Sequence, residues 1–208
     1  LINNSGQLAY TGRLLNGTGG VTATNDSGLW MDSTLLAREG SSAAGTHDGE
    51  VFSTFDFVQL SSNGGGQIVF GGSLQLNAGG VGPDNDSGLW IYGSNGEGLL
   101  IAREGDTFDG KTLSSLGVVT GSNGDDGQSS SLNDFGQLAY RAIFSDFSEA
   151  LVLYTPEIHW TANFSSSWDS NSRWTLGIKP GDPHDVNIDP TSSVTVRGPN
   201  DDVDIRTL

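Results

Sequence analysis

The chain carries one unit of sequence more than once, and this repetition is the feature that most constrains its fold. The five residues DSGLW stand at positions 26–30 and again, letter for letter, at 86–90. Ala-Arg-Glu-Gly follows each copy, at 37–40 and 102–105. A Gly-Gln pair precedes each copy, a further such pair begins a third unit, and the glutamines of these three pairs are Gln7, Gln67 and Gln137. Copies about 60 to 70 residues apart indicate a repeated supersecondary unit.

Each unit contains about four candidate strands. In the first unit these candidates are residues 7–15, 28–32, 34–38 and 51–60. Residues 52–58 alternate apolar and polar side chains, which is the pattern of a half-buried strand. The second unit is longer between DSGLW and Ala-Arg-Glu-Gly. The extra residues, 93–97, have the composition of a hairpin tip. Four short strands per unit predict an all-β fold of propeller-like blades. A β-sandwich is possible, but it leaves the copying unexplained.

The third unit is shorter than the other two. It has strand candidates at 136–144 and 150–154, no Ala-Arg-Glu-Gly, and Pro156 at its end. We therefore expect about two and a half units, at 1–60, 61–130 and 131–156. A propeller closes with roughly four to eight blades, so we expect either further units upstream of Leu1 or an open array.

Composition changes after this region, and residues 157–208 form a Trp-rich tail. The tail contains Trp160, Trp168 and Trp174, followed by short alternating segments at 185–188, 194–196 and 203–205. Strand and turn repeating at so short a period predict the start of a β-solenoid or a small sheet. The expected domains are thus 1–156 and 157–208.

Charge and composition exclude several classes of function. The chain has 9 Lys+Arg against 25 Asp+Glu, a net charge of −16, which makes nucleic acid and anionic membrane surfaces poor partners. The absence of cysteine excludes disulfides, thiolate zinc sites and cysteine nucleophiles. The sequence has no apolar run of the roughly 18 residues that a membrane helix needs. It also lacks a nucleophile elbow and a phosphate loop.

The repeated tryptophans, Trp30 and Trp90, have two interpretations. Asp-Ser-Gly favours a turn, and Leu-Trp then starts a strand, so the stretch is expected to be a structural joint. The functional alternative is that both rings face outward and stack on sugars, which makes Trp30 and Trp90 candidate carbohydrate-binding residues.

The charged residues of Ala-Arg-Glu-Gly also have two interpretations. We expect the arginines to bond main-chain carbonyls or an acid of the next unit. The alternative is a catalytic carboxylate pair of Glu39 and Glu104, whose carboxyl groups would have to lie about 5–9.5 Å apart.

Acidic turns are the candidates for metal binding. Asp84, Asn85 and Asp86 supply oxygen ligands of the kind that calcium prefers, and the acidic clusters at 124–127 and 201–204 are further candidates. Solvated turns are the simpler interpretation. Calcium is the only cofactor that the sequence suggests.

Parts of the units match a known pattern, Asn-x-x-Gly-x-x-Ala followed by Phe or Tyr. The matching residues are Asn3, Gly6, Ala9 and Tyr10; Asn133, Gly136, Ala139 and Tyr140; and, with Val for Ala, Asn63, Gly66, Val69 and Phe70. Over roughly residues 1–155 the chain resembles the "NxxGxxAF" tandem-repeat family of secreted bacterial proteins. This resemblance implies location and architecture, and it brings no catalytic residue.

The tail resembles another group of proteins. The residues that carry this resemblance are Trp168, Asp169, Trp174, Gly177, Pro180, Asp185, Val186 and Ile188. They are similar to the Trp-rich segment that leads into the repeats of autotransporter-like surface proteins, and those repeats imply a parallel β-helix.

These observations predict a non-catalytic repeat protein that is secreted or lies on the cell surface. Its role would be structural or adhesive, with calcium in its loops and with surface polysaccharide or other copies of itself as partners. The alternative is a carbohydrate-active enzyme, a glycoside hydrolase or lyase, with Asp and Glu as acid and base.

Overall fold

The structure, a computed structural model, describes residues 1–62, 65–118 and 130–208. The described residues up to Tyr154 form three sheets. Sheet 1 consists of β1 (Ala9–Arg13), β2 (Ser27–Met31) and β3 (Thr34–Arg38). Sheet 2 consists of β4 (Phe52–Leu60), β5 (Ile68–Leu74), β6 (Ser87–Tyr92) and β7 (Gly98–Arg103). Sheet 3 consists of β8 (Thr107–Phe108), β9 (Lys111–Gly117), β10 (Leu138–Phe144) and β11 (Glu149–Tyr154).

The pairing within the three sheets is antiparallel throughout the described strands, and the all-β, propeller-like prediction is confirmed. Residues 93–97 lie between β6 and β7, so the predicted hairpin tip is confirmed as well. The unit boundaries differ from the sheet boundaries. The last strand of the first unit, β4, pairs with β5 of the second unit. Repetition in a sequence defines the period of the strands but not where one sheet ends.

The three sheets pack face to face, with sheet 2 in the middle. β1 and β2 pack on β4, while β6 and β7 pack on β9. Successive residues of a strand point to opposite faces of the sheet. On sheet 2, Phe70 and Trp90 enter the hydrophobic cluster shared with sheet 1, and Val69 and Ile91 enter the cluster shared with sheet 3. Sheet 2 is therefore buried on both faces.

The turn before each unit explains the Asn-x-x-Gly pattern. The side-chain oxygen of Asn3 accepts the main-chain N–H groups of Ser5 and Gln7, both at 3.0 Å. Gly6 has φ +77°, a left-handed conformation that glycine adopts without strain. This geometry reverses the chain and delivers it into β1.

The third unit repeats this turn, and the middle unit varies it. Asn133 accepts the N–H groups of Phe135 and Gln137, again at 3.0 Å. In the middle unit the hydroxyl of Ser61 accepts the N–H of Gln67 at 2.9 Å. Ser61 thus occupies the place of the asparagine through a loop two residues longer, and the predicted match, Asn63, lies outside the described residues.

The tail pairs its strands in parallel. Its strands are β12 (Ile158–His159), β13 (Ser166–Ser167), β14 (Val186–Asn187) and β15 (Val196–Arg197), with two short 3-10 helices at Asn171–Arg173 and Thr175–Gly177. β12 pairs with β14 and β13 with β15, so each strand meets one that follows 28 to 30 residues later. A chain that coils back over itself produces such parallel neighbours, as in a solenoid.

The tail also packs on the sheets. Trp174 is completely buried, with Trp160 and Trp168 edge-on to its ring at 4.9 and 4.8 Å. All three rings belong to the same hydrophobic cluster as Ile91 of sheet 2 and Leu138 of sheet 3. The tail therefore shares a core with the repeat region.

Candidate functional site

In each unit, the turn that begins DSGLW is hydrogen-bonded to the Ala-Arg-Glu-Gly stretch. In the first unit, Arg38 Nε donates to the main-chain carbonyl of Asn25 at 2.6 Å, and Glu39 accepts the N–H of Ser27 at 3.3 Å. The second unit repeats the arrangement. Arg103 Nε donates to the carbonyl of Asn85 at 2.5 Å, and Glu104 is hydrogen-bonded to Ser87. We call this four-residue arrangement the Arg-Glu clamp, since it fixes the turn of DSGLW to the end of the third strand.

The glycine after each clamp connects it to the next sheet. Gly40 and Gly105 have φ of +78° and +85°, and their N–H groups donate to the carbonyls of Phe52 and Leu113. A left-handed residue is required here because the chain turns sharply out of the strand. Ala-Arg-Glu-Gly therefore joins one sheet to the first long strand of the next, and the expectation that the arginines bond main-chain carbonyls is confirmed.

The clamp of the second unit contains a buried ion pair. Arg103 Nη1 lies 2.8 Å from Glu50 Oε2, and the two side chains are 7% and 4% exposed. Arg38 instead donates to the side-chain oxygen of Asn25 at 3.0 Å. Glu50 does not stand out in the sequence, because the equivalent position in the next unit is Lys111 and the residue is therefore not repeated.

The two glutamates that could form a catalytic pair belong to separate clamps. Glu39 lines a cleft of about 460 Å³ between sheets 1 and 2, together with Thr11, Arg13 and Thr54. Glu104 is not among the described residues that line this cleft. Burial raises the pKa of Glu104, and the neighbouring charge of Asp86 raises it further. Each glutamate therefore has the same structural role, which is a hydrogen bond to the serine in the turn of its own unit.

Comparison with known proteins places the sheets in one family. Residues 1–155 match a family of unknown function, DUF7453. The chain belongs to the DUF7453 family. The match ends one residue after β11, so the DUF7453 region comprises sheets 1 to 3 and leaves out the Trp-rich tail. No curated protein and no solved structure matches the chain. The resemblance to NxxGxxAF repeats and to autotransporter-like proteins stays a prediction.

The tryptophans of the DUF7453 region differ in exposure. Trp90 is completely buried, stacks on Phe70 with ring centres 5.8 Å apart, and donates its indole N–H to the carbonyl of Ala44 at 3.0 Å. A ring without an exposed face cannot stack on a sugar, so the carbohydrate-binding prediction for Trp90 is wrong. Trp30 is half-buried and stacks on Tyr10, which is 44% exposed. The carbohydrate-binding prediction for Trp30 stays open.

In the acidic turn of the second DUF7453 unit, the oxygens of Asn85 and Asp86 accept hydrogen bonds from other residues of the chain. The side-chain oxygen of Asn85 accepts the N–H of Gly82 at 2.7 Å, while its carbonyl accepts Arg103. Asp86 accepts the hydroxyl of Ser87 at 3.4 Å, and Asp84 is exposed. Within the described part of the chain, no three His, Cys, Asp or Glu residues are grouped so as to hold a metal ion. Calcium at Asp84, Asn85 and Asp86 stays a prediction, and the cluster at 124–127 lies outside the described residues.

The described helices include none that is long and apolar enough to cross a membrane.

Proposed function

We propose that the chain is a non-catalytic repeat protein of the cell exterior with a structural or adhesive role. The observation that supports this proposal is the Arg-Glu clamp, which recurs with the same partners in two units. A catalytic site needs its residues at one place in the protein, whereas a repeated structural unit needs the residues that stabilise it in every copy. The residues copied here hold turns, strand ends and ring stacks.

The carbohydrate part of the proposal centres on the stacked pair of Tyr10 and Trp30. Their rings lie 5.8 Å apart with planes only 7° from parallel, and Tyr10 is partly exposed. Aromatic faces of this kind are suited to the apolar face of a sugar ring. The calcium part centres on Asp84, Asn85 and Asp86, where three oxygen-bearing side chains follow one another in a turn.

An experiment with polysaccharides tests the adhesive role against the enzymatic alternative. The chain is incubated with a panel of cell-surface polysaccharides, and both retention on the immobilised polymer and release of new chain ends are measured. We expect retention without release. Release of chain ends that disappears in Glu104→Gln, with the fold intact, would overturn the proposal in favour of a glycoside hydrolase or lyase.

Variants of the stacked pair locate the binding surface. Trp30→Ala should reduce retention severalfold, while the matched change Phe147→Ala, at a ring that is 92% exposed in another turn, should leave retention unchanged. Equal retention by both variants would remove the stacked pair as the sugar site.

A thermal unfolding titration tests calcium. Melting temperature is measured with calcium chloride and with a chelator for the chain and for Asp84→Asn. We expect calcium to raise the melting temperature of the chain only. An unchanged melting temperature would remove calcium from the proposal.

A further inference from the structure

Each of the three described repeat sheets has two faces, which we call A and B according to the contacts that they make in sheet 2. In sheet 2, the A face carries Phe70 and Trp90 and packs on sheet 1, while the B face carries Leu89 and Ile91 and packs on sheet 3. Directly opposite residues of antiparallel strands share a face, so the register identifies the equivalent residues in the other sheets. Within the chain, therefore, the A faces of sheets 2 and 3 each pack on the B face of the preceding sheet.

The A face of sheet 1 has no described sheet against it. Tyr10 pairs with Trp30 in the same register as Phe70 with Trp90. Phe70 is completely buried and its third-unit equivalent, Tyr140, is 5% exposed, whereas Tyr10 is 44% exposed. Leu8, two residues before Tyr10, is 46% exposed. Side chains that are core in sheets 2 and 3 therefore form an apolar surface on sheet 1.

The B face of sheet 3 is open in the complementary way. The register makes Leu151 the equivalent of Leu89 and Leu153 the equivalent of Ile91. Leu89 and Ile91 are 1% and 0% exposed, but Leu151 and Leu153 are 82% and 64% exposed. Leu29 and Met31 occupy the same two places on sheet 1 and are also buried.

The charged side chains beside the open B face carry no net charge that would repel a partner. Arg141 and Glu149 flank the two leucines and form an ion pair with each other, so their formal charges cancel. The face therefore presents two leucines and a neutralised pair to solvent, and apolar patches of this kind mark sites of protein association.

We propose that the chain associates head to tail with a second copy of itself, the B face of sheet 3 in one copy covering the A face of sheet 1 in the other. The contact continues the interface that sheets 1 and 2, and sheets 2 and 3, already form within the chain. It joins two different surfaces, so the association is heterologous and extends into a ring or an open fibre unless it is capped. This contact adds a self-assembly surface to the proposed structural role, and because it covers Tyr10 and Trp30 it competes with sugar binding at that pair.

Sedimentation velocity over a wide range of concentration tests this assembly. The ionic strength should be about 0.15 M, where charges more than about 8 Å apart are largely screened, because the chain carries a net charge of −16. We expect the sedimentation coefficient to rise with concentration. A chain that stays monomeric at every concentration would overturn the inference, whether or not it binds polysaccharide.

Three lysine variants identify the faces. Tyr10→Lys blocks the A face, Leu151→Lys blocks the B face, and Phe147→Lys changes an exposed ring in the β10–β11 turn as the control. Each lysine lowers the net negative charge, so lost association cannot come from added repulsion. We expect the first two variants to be monomeric and the control to behave like the parent chain, with circular dichroism showing that all three are folded.

Mixing the two blocked variants provides the decisive result. A head-to-tail contact needs one intact A face and one intact B face, and the mixture offers one such combination. We therefore expect a one-to-one dimer that does not grow further. Contact between two A faces would instead leave Leu151→Lys fully associated on its own and would give no dimer that contains both variants, and either of those results would overturn the inference.

Discussion

Trp30 and Trp90 stand in the same five-residue stretch and in the same register, yet their surroundings differ. Each stacks on the aromatic residue opposite it, Tyr10 or Phe70, at a ring distance of 5.8 Å. Trp90 is completely buried in the hydrophobic cluster that sheets 1 and 2 share and bonds Ala44 between β3 and β4, whereas Trp30 is half-buried. The turn and strand of DSGLW therefore form in both copies, but whether they are buried in a core depends on the neighbouring sheet.

The largest difference between the two units should come from truncating these rings. Trp90→Ala removes a fully buried side chain and leaves a cavity, and we expect a loss of about 3–5 kcal/mol of unfolding free energy. Trp30→Ala should cost about 1 kcal/mol, because part of the ring already contacts water. Urea unfolding followed by circular dichroism measures both, and equal losses would contradict the difference in burial between the two rings.

The two clamps should respond differently to loss of their arginines. Arg103→Met leaves the buried carboxylate of Glu50 without its arginine partner, which should cost about 3–5 kcal/mol. Arg38→Met breaks hydrogen bonds to Asn25 only and should cost about 1 kcal/mol. The double variant Arg103→Met with Glu50→Gln should recover part of the loss in thermal unfolding. A double variant as unstable as Arg103→Met alone would show that the unpaired charge is not the cause.

The glycine of DSGLW tests how tightly each joint is packed. A Cβ at Gly88 would lie 2.8 Å from the ring of Trp90 and 3.1 Å from the carbonyl of Ala102. At Gly28 the close atoms, at 2.8 Å, belong to the side chains of Trp30 and Leu35. We expect Gly88→Ala to cost about 1–3 kcal/mol, because Trp90 is confined, and Gly28→Ala to cost less. Differential scanning calorimetry compares the two, and the reverse order would contradict the difference in packing.

The smallest effect concerns the buried histidine of the tail, His184. His184 accepts the N–H of Gly181 at Nδ1 and donates from Nε2 to the carbonyl of Phe135, an arrangement that requires the neutral ring. Burial lowers the pKa of His184, although the bond to Phe135 acts in the opposite direction. The unfolded chain therefore takes up a proton below pH about 6.5 more readily than the folded chain, so stability is full above that pH and falls below it.

Melting temperatures between pH 7.5 and pH 5.5 measure this effect. We expect the parent chain to lose stability as the pH falls and His184→Gln to show a weaker dependence. The same pH dependence in His184→Gln would assign the effect to other groups.

Local sequence patterns predicted much of the fold and less of the candidate site. β3 was predicted residue for residue, and the hairpin tip at 93–97 was found from one insertion, because strand periodicity and turn composition are local properties. The sheet that β4 joins did not follow from the sequence, because its pairing with β5 connects strands of two different units and is not a local property. Glu50 was missed because its partner, Arg103, lies far away in sequence and a single charge before a strand has no distinctive pattern.

The sequence alone determined the repeated unit: its period, its strands, its Asn-x-x-Gly turn and the two stretches, DSGLW and Ala-Arg-Glu-Gly, that form the Arg-Glu clamp. These features depend on side chains that contact neighbours within the same unit. The tertiary structure decided which copies are buried, so that Trp90 is core while Trp30 meets solvent, and Leu89 is core while Leu151 is exposed. Equivalent positions differ in this way because burial is a property of the neighbouring sheet, which the residues of one unit do not encode.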